Sequence, residues 1–345
     1  MKLQFLQRLS RINIRSLIAN LFKITIALVL IVFVLSQTTV EEIIRAFENV
    51  SLPWLVFNVL IFYVVIWFMA RRYWRLIGEK VPFRSTLTLT VTQTLIGNLI
   101  ATSAGAVSYV AILKGKYQVR ISEGVTSLIQ ARVLDLFLLF IGLSISSWVL
   151  WSQIDTLHLP IVMLIVFMSI CFLFVLLFLI YRKQFSKWFG WIFARFRFWQ
   201  KLFMAFDNRD ADRLTIYSFF HISNLLYTSI IFVLMAAYLY SGMRIFSLNL
   251  GFWNTLFILS LNQLIVMIPI RFLGGLGIFE VTMFYLLGLF FQEFSIIPIL
   301  VGFRIIFYIT NLLLLPYLLV VPRLAGLKKK HFSAPSIYTP DSHKH

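Results

Sequence analysis

The chain reads as an all-α integral membrane protein with about six full spans and two re-entrant helical hairpins entering from opposite faces. Three observations predict this. Of 345 residues, 60% are hydrophobic and only 13% are charged, more apolar surface than a soluble fold can bury. Six stretches, 17–35, 52–70, 126–151, 159–181, 214–240 and 296–321, each supply about twenty apolar residues, the length at which a helix crosses a bilayer. Two further apolar regions, 86–113 and 252–292, are broken near their middles by glycine-rich segments.

The first span carries Lys23, whose long side chain can snorkel to the headgroups. No small-residue cleavage site follows Leu35, so this segment is expected to be a span rather than a removed signal. Basic residues then orient the rest. They gather at Lys2–Arg15, Arg71–Arg84, Lys114–Arg120, 182–213 and 323–330, whereas Glu41, Glu42 and Glu48 outweigh Arg45 after the first span and Arg244 stands alone after the fifth. Lysine and arginine bias marks cytoplasmic loops, so both termini are expected in the cytoplasm of a multi-pass inner-membrane protein. Cys171, the single cysteine, lies in an apolar span and reads as packing.

The charge map constrains the two broken regions. The region 86–113 has basic clusters on both sides and reads Gly97-Asn98-Leu-Ile-Ala-Thr-Ser-Ala-Gly105 at its middle, which fits a hairpin entering and leaving on the cytoplasmic side. The region 252–292 is interrupted at Pro269-Ile-Arg271-Phe-Leu-Gly274-Gly275-Leu-Gly277 and is expected to enter and leave on the outer face. Broken backbone at membrane depth is tolerated where protein covers it or water reaches it. The alternative reading is ordinary spans with kinks.

Gly105 and Gly277 lie 172 residues apart, and so do Arg132 and Arg304. Sliding the chain on itself by that distance also sets Gly97 opposite Pro269 and Ser108 opposite Glu280. The charge-derived topology makes the two units, roughly 52–151 and 214–321, an inverted repeat of span, hairpin, span, an arrangement in which transporters place substrate between the repeats. An arginine at membrane depth is costly without a partner or a wet cavity and therefore marks a candidate site.

The stretch from Gly105 to Asp135, ending Ala131-Arg132-Val133-Leu134-Asp135-Leu136, resembles the first signature of the lysylphosphatidylglycerol synthetase transmembrane family. Phe272-Leu-Gly-Gly-Leu-Gly-Ile-Phe-Glu280, followed by Gly302-Phe303-Arg304, resembles the second. The resemblance implies a flippase-like protein; relatives are linked to moving aminoacylated phospholipids or polyprenyl-linked sugars between leaflets. The family often carries an acidic residue just after the first glycine turn, where this chain reads Ala106-Val107-Ser108-Tyr109. The membrane domain is expected to fill 1–321, and the basic cytoplasmic tail 322–345 is too short for an aminoacyl-transferase domain. No phosphate loop, nucleophile elbow or zinc-helix motif is present, so neither an enzyme activity nor a cofactor or metal is expected.

Polar groups at depth are the candidate substrate contacts: Gly105, Arg132, Asp135, Arg271, Gly274, Gly275, Gly277, Glu280 and Arg304. A guanidinium fork suits a lipid phosphate and keeps its charge when desolvated. Asp135 follows Arg132 by three residues, so an ion pair on one helix face competes with a ligand site there. Glu280 has two readings as well, a headgroup contact beside amide-rich backbone or a partner for Arg271 or Arg304. Asn98, Asn262, Gln263 and Asn311 are expected to bond between helices. In 182–201, Phe185, Trp188, Phe189, Ile192, Phe196 and Trp199 fall at helical spacing among Lys187, Arg195 and Arg197, an amphipathic helix for anionic headgroups rather than nucleic acid.

The function expected from these readings is a lipid flippase-like transporter for an anionic or aminoacylated phospholipid or a polyprenyl-linked lipid. A membrane-embedded enzyme acting on a lipid-linked substrate, or a scaffold of envelope synthesis, are the competing classes.

Overall fold

The computed structural model describes residues 50–180, 221–267, 278–291 and 296–318, with 41, 44, 47 and 48. The expected first span, the interfacial helix 182–201, the second glycine turn and the basic tail lie outside the described residues. Nine α-helices run in order through the rest: α1 Leu52–Leu76, α2 Phe83–Leu99, α3 Thr102–Tyr117, α4 Ile121–Val149, α5 His158–Ile180, α6 Ile222–Ile245, α7 Phe252–Met267, α8 Ile278–Gly288 and α9 Ile296–Leu312. No strand occurs among the described residues. Five of the described helices are long and apolar enough to cross a membrane, and the protein is an all-α integral membrane protein.

Several boundaries differ from expectation for physical reasons. Helix α1 runs six residues past Ala70 because Arg71, Arg72 and Arg75 continue the helix at no propensity cost; it ends where Gly78 and Glu79 take left-handed angles, φ 71° and 58°. Helix α4 starts at Ile121, taking in Glu123, whose carboxylate accepts from Lys80 Nζ at 2.6 Å. Helix α6 runs to Ile245 rather than Tyr240. Helix α9 stops at Leu312, with a turn before a last helical stretch at 315–318.

Helices α1 and α6 pack along their lengths in opposite directions. Ser51 N–H donates to the Ile245 carbonyl (3.0 Å) at one end. Asn58 Nδ2 donates to the Tyr238 carbonyl (2.7 Å) and Ser241 Oγ (2.8 Å) further along, and Arg72 Nη1 reaches Thr228 Oγ1 (3.3 Å) at the other end. The spans that open the two units are therefore antiparallel. The helix bounds also overlap on the slide: moved by 172 residues, α1 falls on 224–248, α2 on 255–271, α3 on 274–289 and α4 on 293–321, against α6, α7, α8 and α9. Contacts exchange in the same way, since α4 packs on α7 and α9 packs on α2.

The first broken region is a helical hairpin, α2 against α3. At a rise of 1.5 Å per residue its arms reach only about 26 and 24 Å, short of a hydrocarbon core of about 30 Å. At its tip Asn98 Nδ2 donates to Asn311 Oδ1 of α9 (2.8 Å). Asn311 lies inside the apolar stretch Ile296–Leu318, so the hairpin turns within the length of a span. The arms close tightly because Gly105 is a glycine: a Cβ there would sit 2.5 Å from the Gln93 carbonyl oxygen and 3.0 Å from Gly97 Cα. Close backbone approach through small residues is how helices associate where lipid offers no hydrophobic drive.

The principal core lies where α1, α4, α6, α7, α8 and α9 meet, around Phe62, Leu143, Met243, Phe257, Leu287 and Leu300. Helix α5, by contrast, packs on α4 and exposes Met163, Phe167 and Ile170, an apolar surface suited to acyl chains.

Candidate functional site

Two arginine–carboxylate pairs are built into these apolar helices, one in each unit. In the first, Arg72 of α1 grips Asp135 of α4: Nη1 meets Oδ1 and Nη2 donates to Oδ2 at 3.3 Å. The Arg72 side chain is 1% exposed and that of Asp135 20%. The fork-to-fork geometry supplies two charge-assisted hydrogen bonds, which is what makes an arginine tolerable at this burial. Thr228 adds a third acceptor and ties the pair to α6.

This arrangement corrects the same-face reading of Arg132 and Asp135. Asp135 is engaged by Arg72, while Arg132 is exposed on the face of α4 that also shows Ile121 and Ile129. Spacing along α4 allowed the i, i+3 pair, but an arginine arriving from α1 holds the carboxylate with both nitrogens. Sequence reasoning placed Arg72 in a cytoplasmic cluster with Arg71. The signal that separates them is helical phase: Arg71 turns outward over the rings of Trp67, Trp74 and Phe83 (4.2 Å to the last), and Arg72, one hundred degrees on, turns inward.

In the second unit Arg304 of α9 pairs with Glu280 in the first turn of α8, Nε to Oε1 at 3.3 Å. This is one of the two partners expected for Glu280. Both residues are buried. The guanidinium lies over Phe279, Phe307 and Tyr308, 5.0–5.4 Å from the ring centres, and Phe279 stacks on Phe303 at 13°. Cation–π contact of this kind lowers the cost of holding the charge away from water. Tyr238 of α6 borders the same cluster, its ring 6.2 Å from that of Phe303. Arg271, Gly274, Gly275 and Gly277 lie outside the described residues, so Glu280 and Arg304 are the candidate contacts of the second signature whose geometry is defined. Gly105, from the first signature, packs the hairpin arms together.

The first pair ties the two units together, and the second lies within the second unit. Arg72–Asp135 joins α1 and α4 with Thr228 of α6, and Glu280–Arg304 joins α8 and α9 beside Tyr238 of α6. An anion could enter such a site by exchanging with the carboxylate for guanidinium hydrogen bonds.

Comparison with known proteins agrees with this architecture. The lysylphosphatidylglycerol synthase TM region family model matches residues 20–314, and no curated protein and no solved structure matches the chain. With the match running through both units and both charged pairs, the chain belongs to the lysylphosphatidylglycerol synthase transmembrane-region family.

Proposed function

We propose that the protein is a flippase-like transporter in the cell inner membrane, moving an anionic or aminoacylated phospholipid, or a polyprenyl-linked lipid, from one leaflet to the other. The observation that carries this reading is the pair of buried arginine–carboxylate contacts, one in each of two antiparallel units. Charges within spans are costly and mark substrate paths in transporters. Inverted units that rock against one another present such a path to each leaflet in turn.

In this reading Arg304 takes the lipid phosphate and Glu280 is the carboxylate it leaves, or the contact for an aminoacyl ammonium. Arg132, exposed on α4, is the headgroup contact met from the lipid side, and Asp135 is held as the anchor between units. The test is translocation of fluorescent phosphatidylglycerol in proteoliposomes containing the purified protein, followed by dithionite quenching. Wild type should expose labelled lipid faster than protein-free vesicles, and Arg304→Lys, which keeps charge but loses the planar fork, should slow it. A wild-type rate equal to that of empty vesicles with each candidate lipid overturns the reading. A lipid product of altered mass would assign the membrane-embedded enzyme instead.

A further inference from the structure

The Tyr238 hydroxyl is a buried polar group that packing alone does not explain. The residue is 9% exposed, and its oxygen has no hydrogen-bond partner among the described residues. The rest of the residue is held firmly: its carbonyl accepts from Asn58 Nδ2 at 2.7 Å and from Ser241 Oγ at 3.0 Å, and its ring is flanked by Phe62 and Phe303 at 5.8 and 6.2 Å. Phe303 in turn stacks on Phe279, over which the Arg304 guanidinium lies at 5.4 Å. Phenylalanine would fill the same space without burying a donor that goes unused, and buried polar groups are paired in nearly all proteins. A fixed donor and an arginine packed on the same aromatic cluster have the chemistry of an anion cradle.

We propose that Tyr238 is a substrate-positioning residue, donating its hydroxyl hydrogen to a phosphate oxygen held by Arg304. This deepens the transport reading and rests on it. The tyrosine has no equivalent in the first unit, where the matching position is Ile66. The phosphate site is therefore asymmetric, with its second donor supplied by the opening span of the second unit.

The experiment measures the thermal stabilisation of the detergent-purified full chain by three probes: dioleoyl-phosphatidylglycerol, inorganic phosphate, and dioleoylglycerol, which lacks the phosphate. Variants are Tyr238→Phe and Arg304→Gln, beside wild type. Tyr238→Phe removes only an unpartnered oxygen, so its ligand-free Tm should equal or exceed that of wild type. Its apparent affinity for phosphatidylglycerol should fall about tenfold, the loss expected for one hydrogen bond to a charged group, with weak dioleoylglycerol binding unchanged. The same loss with inorganic phosphate would support the hydroxyl as a phosphate donor and assign the soluble ion as a ligand; a loss confined to phosphatidylglycerol assigns the lipid. Wild-type affinity in Tyr238→Phe with reduced affinity in Arg304→Gln overturns the role of Tyr238 alone. Wild-type affinity in both variants overturns the transport site on which it rests. If Tyr238→Phe has a lower ligand-free Tm, hydroxyl donation is tested by Tyr238→Met, which must show the same affinity loss.

Discussion

Arg132 and Arg304 hold equivalent places in the two units and meet opposite fates: Arg132 is exposed, Arg304 buried against Glu280 and three rings. The difference lies in where each unit keeps its carboxylate. The position matching Glu280 is Ser108, whose hydroxyl turns back to the Gly105 carbonyl at 2.7 Å, so the first hairpin offers Arg132 no acid. The position matching Asp135 is Phe307, which lies beneath Arg304. A second arginine pair answers in complement. Arg72 is buried because Asp135 is there to receive it, and its equivalent Arg244, without an acid at 307, bonds Tyr240 Oη at 3.0 Å and lies over Trp54 of α1. The lack of an acid at two positions, Ser108 and Phe307, thus accounts for which arginine of each set is buried. An arginine goes inside where a carboxylate waits, because an unpaired buried charge costs more than packing returns.

The comparison can be broken most severely at the first pair. Asp135→Leu strands Arg72 and should cost about 3–5 kcal/mol, whereas Arg72→Met with Asp135→Leu should restore most of that stability; chemical denaturation in detergent measures both. A joint variant as unstable as the single one would mean that the pair is not what Arg72 is buried for. Next in size is Glu280→Leu, expected to cost about 3 kcal/mol by the same route, while Ser108→Ala at the equivalent place should leave the melting temperature unchanged. Equal effects at 280 and 108 would remove the asymmetry.

Smaller effects sharpen the picture. Asn98→Ala severs the link between the first hairpin tip and α9 and should cost about 0.6–1.7 kcal/mol, the range for interhelical hydrogen bonds in membranes. Chemical denaturation in detergent measures this as well. Last, Ser108→Glu gives the first unit the acid it lacks. A double-mutant cycle with Arg132→Gln should show a coupling below about 1 kcal/mol, because the arginine starts on an exposed face.

Much of the fold was legible in the sequence because its causes are local. Apolar length sets which segments are long helices, and the Gly97–Gly105 interruption places the hairpin turn between α2 and α3, since a helix cannot continue through a chain that must double back with backbones touching. The spacing shared by Gly105–Arg132 and Gly277–Arg304 predicts two matched units, and α1 and α6, the spans that open them, run antiparallel. Arg304 with Glu280 was within reach as well, because a carboxylate in one signature and an arginine in the other leave few alternatives.

Tertiary structure alone decided the pairing of Asp135, the burial of Arg72 and the place of Tyr238. Sequence spacing reports which residues share a face of one helix, and by that measure Asp135 belongs with Arg132. Whether a face turns toward lipid or toward another helix depends on how helices distant in sequence cross, and Arg72, Asp135 and Thr228 come from three of them. In an apolar chain nearly every face is hydrophobic, so the usual amphipathic signal that orients a helix is faint. The arginines are sorted instead by the few acids they can reach, and that reach is set by packing.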